Sequence, residues 1–201
     1  KAFSTDAGIE VASLGVQIHG GMGFIEETGA AQHYRDARIS TIYEGTNGIQ
    51  SIDLVTRKIT QSGGETLKKM LAGFHATSAA VKASKENVGE AAARLDEGLA
   101  ALEKTSRHLL ETLGRKPDDA LAGATPYLRL FGLVAGASYL AEAALAAAKA
   151  RAGGDSDPAH LARIEIARFF AENLLPAATG LVPVVMTSAQ SVLNSEMALA
   201  G

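Results

Sequence analysis

The sequence predicts an all-α protein, an antiparallel helical bundle, on three observations. Apolar residues recur at spacings of three and four, and no period-2 alternation is long enough to make a strand. Glycine, proline and aspartate cluster at a few points between these stretches, as inter-helix turns require. The composition is 47% hydrophobic but only 5% aromatic, rich in the alanine and leucine that favour helix and close helix packing.

The elements follow in order. Ile9, Ala12, Leu14 and Val16 mark a first helix that stops before Gly20-Gly21. A short second helix is predicted over 29–39, bearing His33, Arg35, Asp36 and Arg38. A third opens at Thr46 or Asn47, both able to cap it, and carries Ile49, Ile52, Val55 and Ile59 on one apolar face. Gln61-Ser62-Gly63-Gly64 reads as a linker or sharp turn. Beyond it, helices are predicted over 65–84 and 88–113. A break at 114–119 follows, with Asp118 or Asp119 placed to cap a helix over 120–152. Within that helix LAEAALAAAKARA has side chains small enough for close helix contact. A last strong helix runs over 159–175, with Pro158 at its first turn. The expected division is 1–62 and 63–201.

Composition narrows the function. With 201 residues the chain suits one large domain or two small ones. Its 19 basic and 22 acidic residues give a net charge of −3, without the basic stripe of a nucleic-acid surface. The absence of cysteine excludes disulfides, thiolate metal sites and thiol nucleophiles, and fits a cytoplasmic protein. The five histidines form no HExxH or Glu-x-x-His pair, so no metal site is expected, and Asp157-x-x-His160 reads as a helix N-terminus. The start carries no signal pattern and no initiator methionine, so the expectation is a piece of a longer protein. The uncharged run 174–195 reaches spanning length, but Pro176, Gly180, Pro183 and several polar residues favour a buried or interface segment over a membrane one.

Two glycine-bearing stretches hold the candidate chemistry. In QIHGGMGF (17–24) the glycines either let backbone approach a ligand phosphate or simply end a helix. Gln17 can hold a base edge or cap the glycine-rich backbone. In YEGTNGIQ (43–50) a helix starting at Thr46 points its free N–H groups and positive end toward the surroundings of Glu44. Glu44 is then either a solvated charge at a helix entrance or, in an apolar setting, a general base. Local chemistry leaves both readings open.

The two stretches together, with RDARI between them, make residues 1–60 resemble the C-terminal helical domain of the acyl-CoA dehydrogenase family. Residues 65–201 resemble, more loosely, the helical extension of larger bacterial members, such as the 3-methylmercaptopropionyl-CoA dehydrogenase-like group. The resemblance implies an FAD-dependent enzyme that converts an acyl-CoA to its 2,3-enoyl-CoA. Glu44 matches the base that takes the α-proton, and Gly45 the position against the thioester. Thr46, Asn47 and Gly48 match positions beside FAD. Gln17, Gly20 and Gly21 match the stretch reaching the FAD adenosine–pyrophosphate of a neighbouring subunit. A homo-oligomer, dimer or tetramer, and an electron-transferring flavoprotein as acceptor are further implications. At position 48 several relatives carry a side chain, so a glycine leaves only backbone for the flavin. The segments of such an enzyme that form most of the flavin pocket are not among these residues, so the chain alone is expected to be inactive. The alternative is a non-catalytic helical oligomerisation or interaction module. A third reading, by analogy with DNA-associated relatives, is disfavoured by the charge.

Overall fold

A computed structural model describes residues 1–85, 88–195 and 199. Among these there is no strand, and the protein is all-α as the periodicity predicts. Two compact units divide it, Lys1–Leu54 and Val55–Gly201. Of the predicted second domain, 63–201, positions 86, 87, 196–198, 200 and 201 lie outside the described residues.

The first unit contains α1 (Ala2–Ile18), α2 (Gly21–Phe24), α3 (Ala30–Ile39) and α4 (Asn47–Asp53), with a 3-10 turn over Glu26–Thr28. Helix α1 packs on the other three. Its inward stripe is Thr5, Ile9, Ala12 and Val16, at helical spacing, whereas Leu14 points outward. Only Ala2, Gly23, Ala30, Thr41 and Ser51 are buried here, while Val11, Ile18, Met22, Phe24 and Ile49 are exposed. Such a unit buries little apolar surface of its own.

The second unit has a large core. Its helices are α5 (Glu65–Ala83), α6 (Ala91–Leu113), α7 (Pro117–Ala122), α8 (Ala124–Ala152), α9 (Ala159–Asn173), α10 (Ala177–Thr187) and α11 (Ala189–Leu193). Ser78 meets Asp96 while His75 meets Glu103, so α5 and α6 run antiparallel. Gly98 lies against Val134 and Ser106 against Tyr127, which sets α6 antiparallel to α8. Leu95, Leu99, Leu102 and Leu109 of α6 and Tyr127, Leu130 and Val134 of α8 are all fully buried. In the alanine-rich half of α8, Ala137, Ala141, Ala144 and Ala148 are buried, and Gly136 leaves space for the Phe170 ring of α9.

Several local expectations are corrected. Ile49 and Ile52 are exposed, whereas Val55 and Ile59 are buried, so the four do not share one buried face. A π-helical turn over Leu54–Lys58 follows α4, and its wider winding departs from the spacing on which that face was predicted. The predicted 120–152 helix is two, α7 and α8, parted at Gly123, where a Cβ would stand 2.7 Å from the Val185 carbonyl. Asp118 and Asp119 do not cap it; they lie in the first turn of α7, which opens with Pro117. The uncharged run 174–195 breaks into α10 and α11, with Leu175, Ala178 and Val185 buried and Val184, Val192 and Leu193 exposed. Among the described residues α8 is long and apolar enough to cross a membrane, as is the bent pair of α9 and α10 taken together, and 44% of the most apolar window of α8 is buried inside the protein.

Candidate active site

The Glu44 turn is held from both ends of the first unit. Leaving α3, Tyr43 N–H donates to the Ile39 carbonyl at 3.1 Å, and Asn47 N–H reaches back to the Thr41 carbonyl at 3.1 Å. Between them Glu44 has φ 54° and Gly45 φ 80°, two consecutive left-handed residues. Glycine adopts that conformation freely; a glutamate there costs about 1 kcal/mol or more. Side-chain donors fix both carbonyls of the turn. Gln50 Nε2 donates to the Glu44 carbonyl at 3.2 Å, and Lys1 Nζ to the Gly45 carbonyl at 3.0 Å. A Cβ on Gly45 would lie 3.1 Å from Gln50 Nε2, a flexible side-chain tip that can give way, so it is φ rather than space that calls for glycine there.

Thr46 is the N-cap of α4, its Oγ1 accepting from Ile49 N–H at 3.3 Å, which resolves the choice between Thr46 and Asn47. The Asn47 side chain turns toward α1. Its Nδ2 donates to Asp6 Oδ1 at 2.7 Å and to Thr5 Oγ1 at 3.0 Å, and its Oδ1 accepts from Lys1 Nζ at 2.9 Å. An ammonium can only donate and a carboxylate can only accept, so these neighbours define the amide orientation. Gly48 is exposed, with open space around it apart from Thr46 Oγ1 at 3.8 Å from a built Cβ. Glu44 itself is exposed, on a turn whose backbone is fixed.

In the other stretch, Gln17 is exposed at the end of α1, and its carbonyl accepts from Gly20 N–H at 3.1 Å. Gly20, with φ 61° and ψ −144°, occupies a region open only to glycine. A Cβ on Gly20 or Gly21 would meet nothing within 4 Å, so both leave room for another molecule. The crowded glycine is Gly23, where a Cβ would fall 2.2 Å from the Val16 carbonyl. The G-G-x-G spacing alone does not say which glycine packs and which stays open. Arg35 forms a bidentate pair with Glu26, at 2.8 and 2.6 Å, and so ties α3 to the 3-10 turn after α2. Among the described residues no hydrogen bond joins Gln17, Gly20 or Gly21 to the Glu44 turn. No group of three metal-ligating side chains occurs among them either.

Sequence reasoning missed Lys1, Thr5 and Asp6, which converge on Asn47. Their spacing of one helical turn was visible, but nothing in it named a partner more than 40 residues away.

Two family descriptions together account for most of the sequence. "Acyl-CoA dehydrogenase, C-terminal domain" matches residues 1–59, and "Acetyl-CoA dehydrogenase C-terminal like" matches residues 57–196. The second match covers more than half of the chain, which therefore belongs to the acyl-CoA dehydrogenase family, in its C-terminal helical part. The chain is similar to 3-methylmercaptopropionyl-CoA dehydrogenase of Ruegeria pomeroyi, 42% identical over 98% of this chain and 34% of that protein. It is also similar to a butyryl-CoA dehydrogenase of Syntrophomonas wolfei, 29% identical over 96% of this chain and 32% of that one. The human mitochondrial short-chain specific acyl-CoA dehydrogenase matches 26% of this chain and 13% of its own length, at 46% identity. The chain thus spans about a third of the length of the first two relatives.

Proposed function

We propose that this chain is the base-bearing C-terminal portion of an FAD-dependent acyl-CoA dehydrogenase, which forms a 2,3-enoyl-CoA from an acyl-CoA thioester. The observation that carries the proposal is the Glu44–Gly45 turn: an acidic residue kept in a left-handed conformation, with both turn carbonyls held by side-chain donors. Strain retained by surrounding bonds is characteristic of functional positions.

In this reading Glu44 removes the α-proton, and Gly45, which has no side chain, lets the thioester lie against the turn. An α-proton of a thioester is weakly acidic, so the base must be held within hydrogen-bond reach of it, and the fixed backbone of the turn does that. FAD, when bound, supplies the hydride acceptor that completes the desaturation. The residues present suit such a group: Gly20, Gly21 and Gly48 have open space where a side chain would stand. Thr46, Asn47 and Gly48 would lie beside the flavin, and Gln17, Gly20 and Gly21 would meet the adenosine–pyrophosphate of a neighbouring subunit. That assignment makes the enzyme a homo-oligomer, dimer or tetramer, with an electron-transferring flavoprotein as acceptor. We assign it to the cytoplasm.

The direct experiment replaces Glu44 with Gln in the complete dehydrogenase and measures dye-linked oxidation of a panel of acyl-CoAs. Activity should fall by about a thousandfold or more, on the scale of losing an essential general base. Wild-type rates in the variant would remove Glu44 from the role. The 201-residue chain alone should purify colourless and inactive; a stoichiometric yellow flavin would contradict that part of the proposal.

A second reading concerns residues 63–201 as a helical oligomerisation or interaction module. Leu161, Ile166 and Phe169 give α9 an exposed apolar face that favours it. Light scattering of an Ile166→Glu, Phe169→Glu variant tests it: unchanged mass would exclude α9 as the subunit contact.

A further inference from the structure

We propose that Lys1, Asp6 and Asn47 form a positioning clamp that sets the geometry of the Glu44–Gly45 turn. The inference rests on the reading of Glu44 as base and deepens it by naming what holds that base in place. Three observations carry it.

Asn47 is half-buried and its carboxamide is engaged on both sides. Asp6 Oδ1 lies 2.7 Å from Nδ2, and Lys1 Nζ 2.9 Å from Oδ1. The Lys1 ammonium does not stop at Asn47: it also donates to the Gly45 carbonyl at 3.0 Å. A single cation therefore joins the first residue of α4 to the left-handed turn beside Glu44. Finally, the Asn47 main chain closes the same loop, through its N–H to the Thr41 carbonyl at 3.1 Å and its carbonyl to Ser51 Oγ at 2.9 Å. The backbone of Asn47 thus ties the loop to its own neighbours, while its side chain anchors it to the start of α1, where the Ala2 carbonyl is a further acceptor at 3.3 Å.

The bonds made by Lys1 and Asp6 each have one ionised partner, and charge-assisted bonds are the stronger class of hydrogen bond. They act on a residue whose φ of 54° is not one that glutamate prefers. Released from the Gly45 carbonyl anchor, the turn can relax toward an ordinary conformation and carry the Glu44 carboxylate with it. Asp6 and Lys1 need not touch substrate. They act through the turn, Asp6 by way of Asn47 and Lys1 both by way of Asn47 and directly on the Gly45 carbonyl.

The test uses the complete dehydrogenase, reading anaerobic flavin bleaching by a saturating acyl-CoA and by its α-deuterated form. Asp6→Ala and Asn47→Asp should each slow bleaching by roughly ten- to a hundredfold, the scale of a small misplacement of a reacting group, with KM changed less than about threefold. The isotope effect should rise, because α-proton removal becomes slower relative to other steps. The exchanged pair Asp6→Asn, Asn47→Asp reverses donor and acceptor while keeping the bond. It should recover the rate to within about threefold of wild type and lower the isotope effect again. Lys1→Met, which leaves the Asp6 bond in place, should slow bleaching in the same sense.

If Glu44→Gln is inactive but Asp6→Ala, Asn47→Asp and Lys1→Met bleach at wild-type rate, the clamp is wrong and the base reading stands. If the single variants are slow but the exchanged pair is no faster than they are, the clamp is likewise overturned. Should Glu44→Gln retain full activity, the base reading falls by itself. Amide hydrogen exchange on the 201-residue chain then decides the clamp: faster exchange of residues 41–47 in Asp6→Ala supports it, and unchanged exchange refutes it.

Discussion

Gly45 and Gly23 show how differently two glycines of one small unit can matter. Gly45 has φ 80° and a Cβ position 3.1 Å from Gln50 Nε2, a flexible side-chain tip that can move. Gly45→Ala should therefore fold, destabilised by about 1 kcal/mol, while losing most activity in the complete enzyme because the thioester face is blocked. A melt to locate its midpoint, run beside a rate measurement, separates the two effects. Gly23 is limited by backbone, with the Val16 carbonyl 2.2 Å from a built Cβ. Gly23→Ala forces α1 and α2 apart and should cost about 1–3 kcal/mol, read in the same melt. Glu44 stands out in the sequence because charge, turn glycine and capping threonine occur in succession. What holds the turn was not legible, since Lys1 reaches the Gly45 carbonyl and Asp6 reaches Asn47 only after α1 folds onto α4. Asn47, assigned to the cofactor by resemblance, has its side chain engaged by α1.

Helix pairing in the second unit depends on a few polar ties set into an apolar core. Tyr127 is fully buried and bonded to Ser106 at 2.7 Å; burial pushes its phenol above the usual tyrosine range, and the Ser106 bond only partly opposes this. A raised folded value means the proton is held more tightly in the folded state. The stability from Tyr127 is therefore present below its unfolded value near 10 and is lost as pH rises toward its folded one. Absorbance titration of the tyrosinates should show one tyrosine that ionises only with unfolding. Asp96, bonded to Lys82 and to Ser78, has its carboxyl held below the usual value, by Lys82 first and Ser78 next. Here the sign reverses: the stabilisation is present above the unfolded value near 3.8 and disappears as pH falls through the lowered folded one. Asp96→Asn should thus lower the unfolding midpoint at neutral pH and match wild type in strong acid. Leu102, fully buried between helices, is the apolar counterpart; Leu102→Ala should cost about 2–5 kcal/mol in urea unfolding. Periodicity made α6 and α9 legible within a few residues. It missed the break at Gly123 because the crowding there comes from Val185, which packs onto it from α10.

At the scale of the molecule, the two units differ in how they are stabilised. Val55–Gly201 holds nearly all of the large buried side chains, whereas Lys1–Leu54 leaves most of its large apolar residues exposed. Residues 55–201 produced alone should give helical circular dichroism and a cooperative melt, and residues 1–54 alone should not. The reverse outcome would show that the motif-bearing unit is stabilised from within. Its Val11, Ile18, Met22 and Phe24 are all exposed. The sequence by itself determined the all-α class, most helix positions, the family, and the two stretches on which a function can be argued. Those depend on local spacing and on short motifs, which neighbours in the chain suffice to specify. Only the tertiary structure decided that Gly23 packs while Gly20 and Gly21 stay open, that Ile49 is exposed while Val55 is buried, and that Lys1 and Asp6 bond Gly45 and Asn47 beside Glu44. The physical reason is common to all three: each depends on atoms from a different turn or element, and periodicity carries no information about which elements meet.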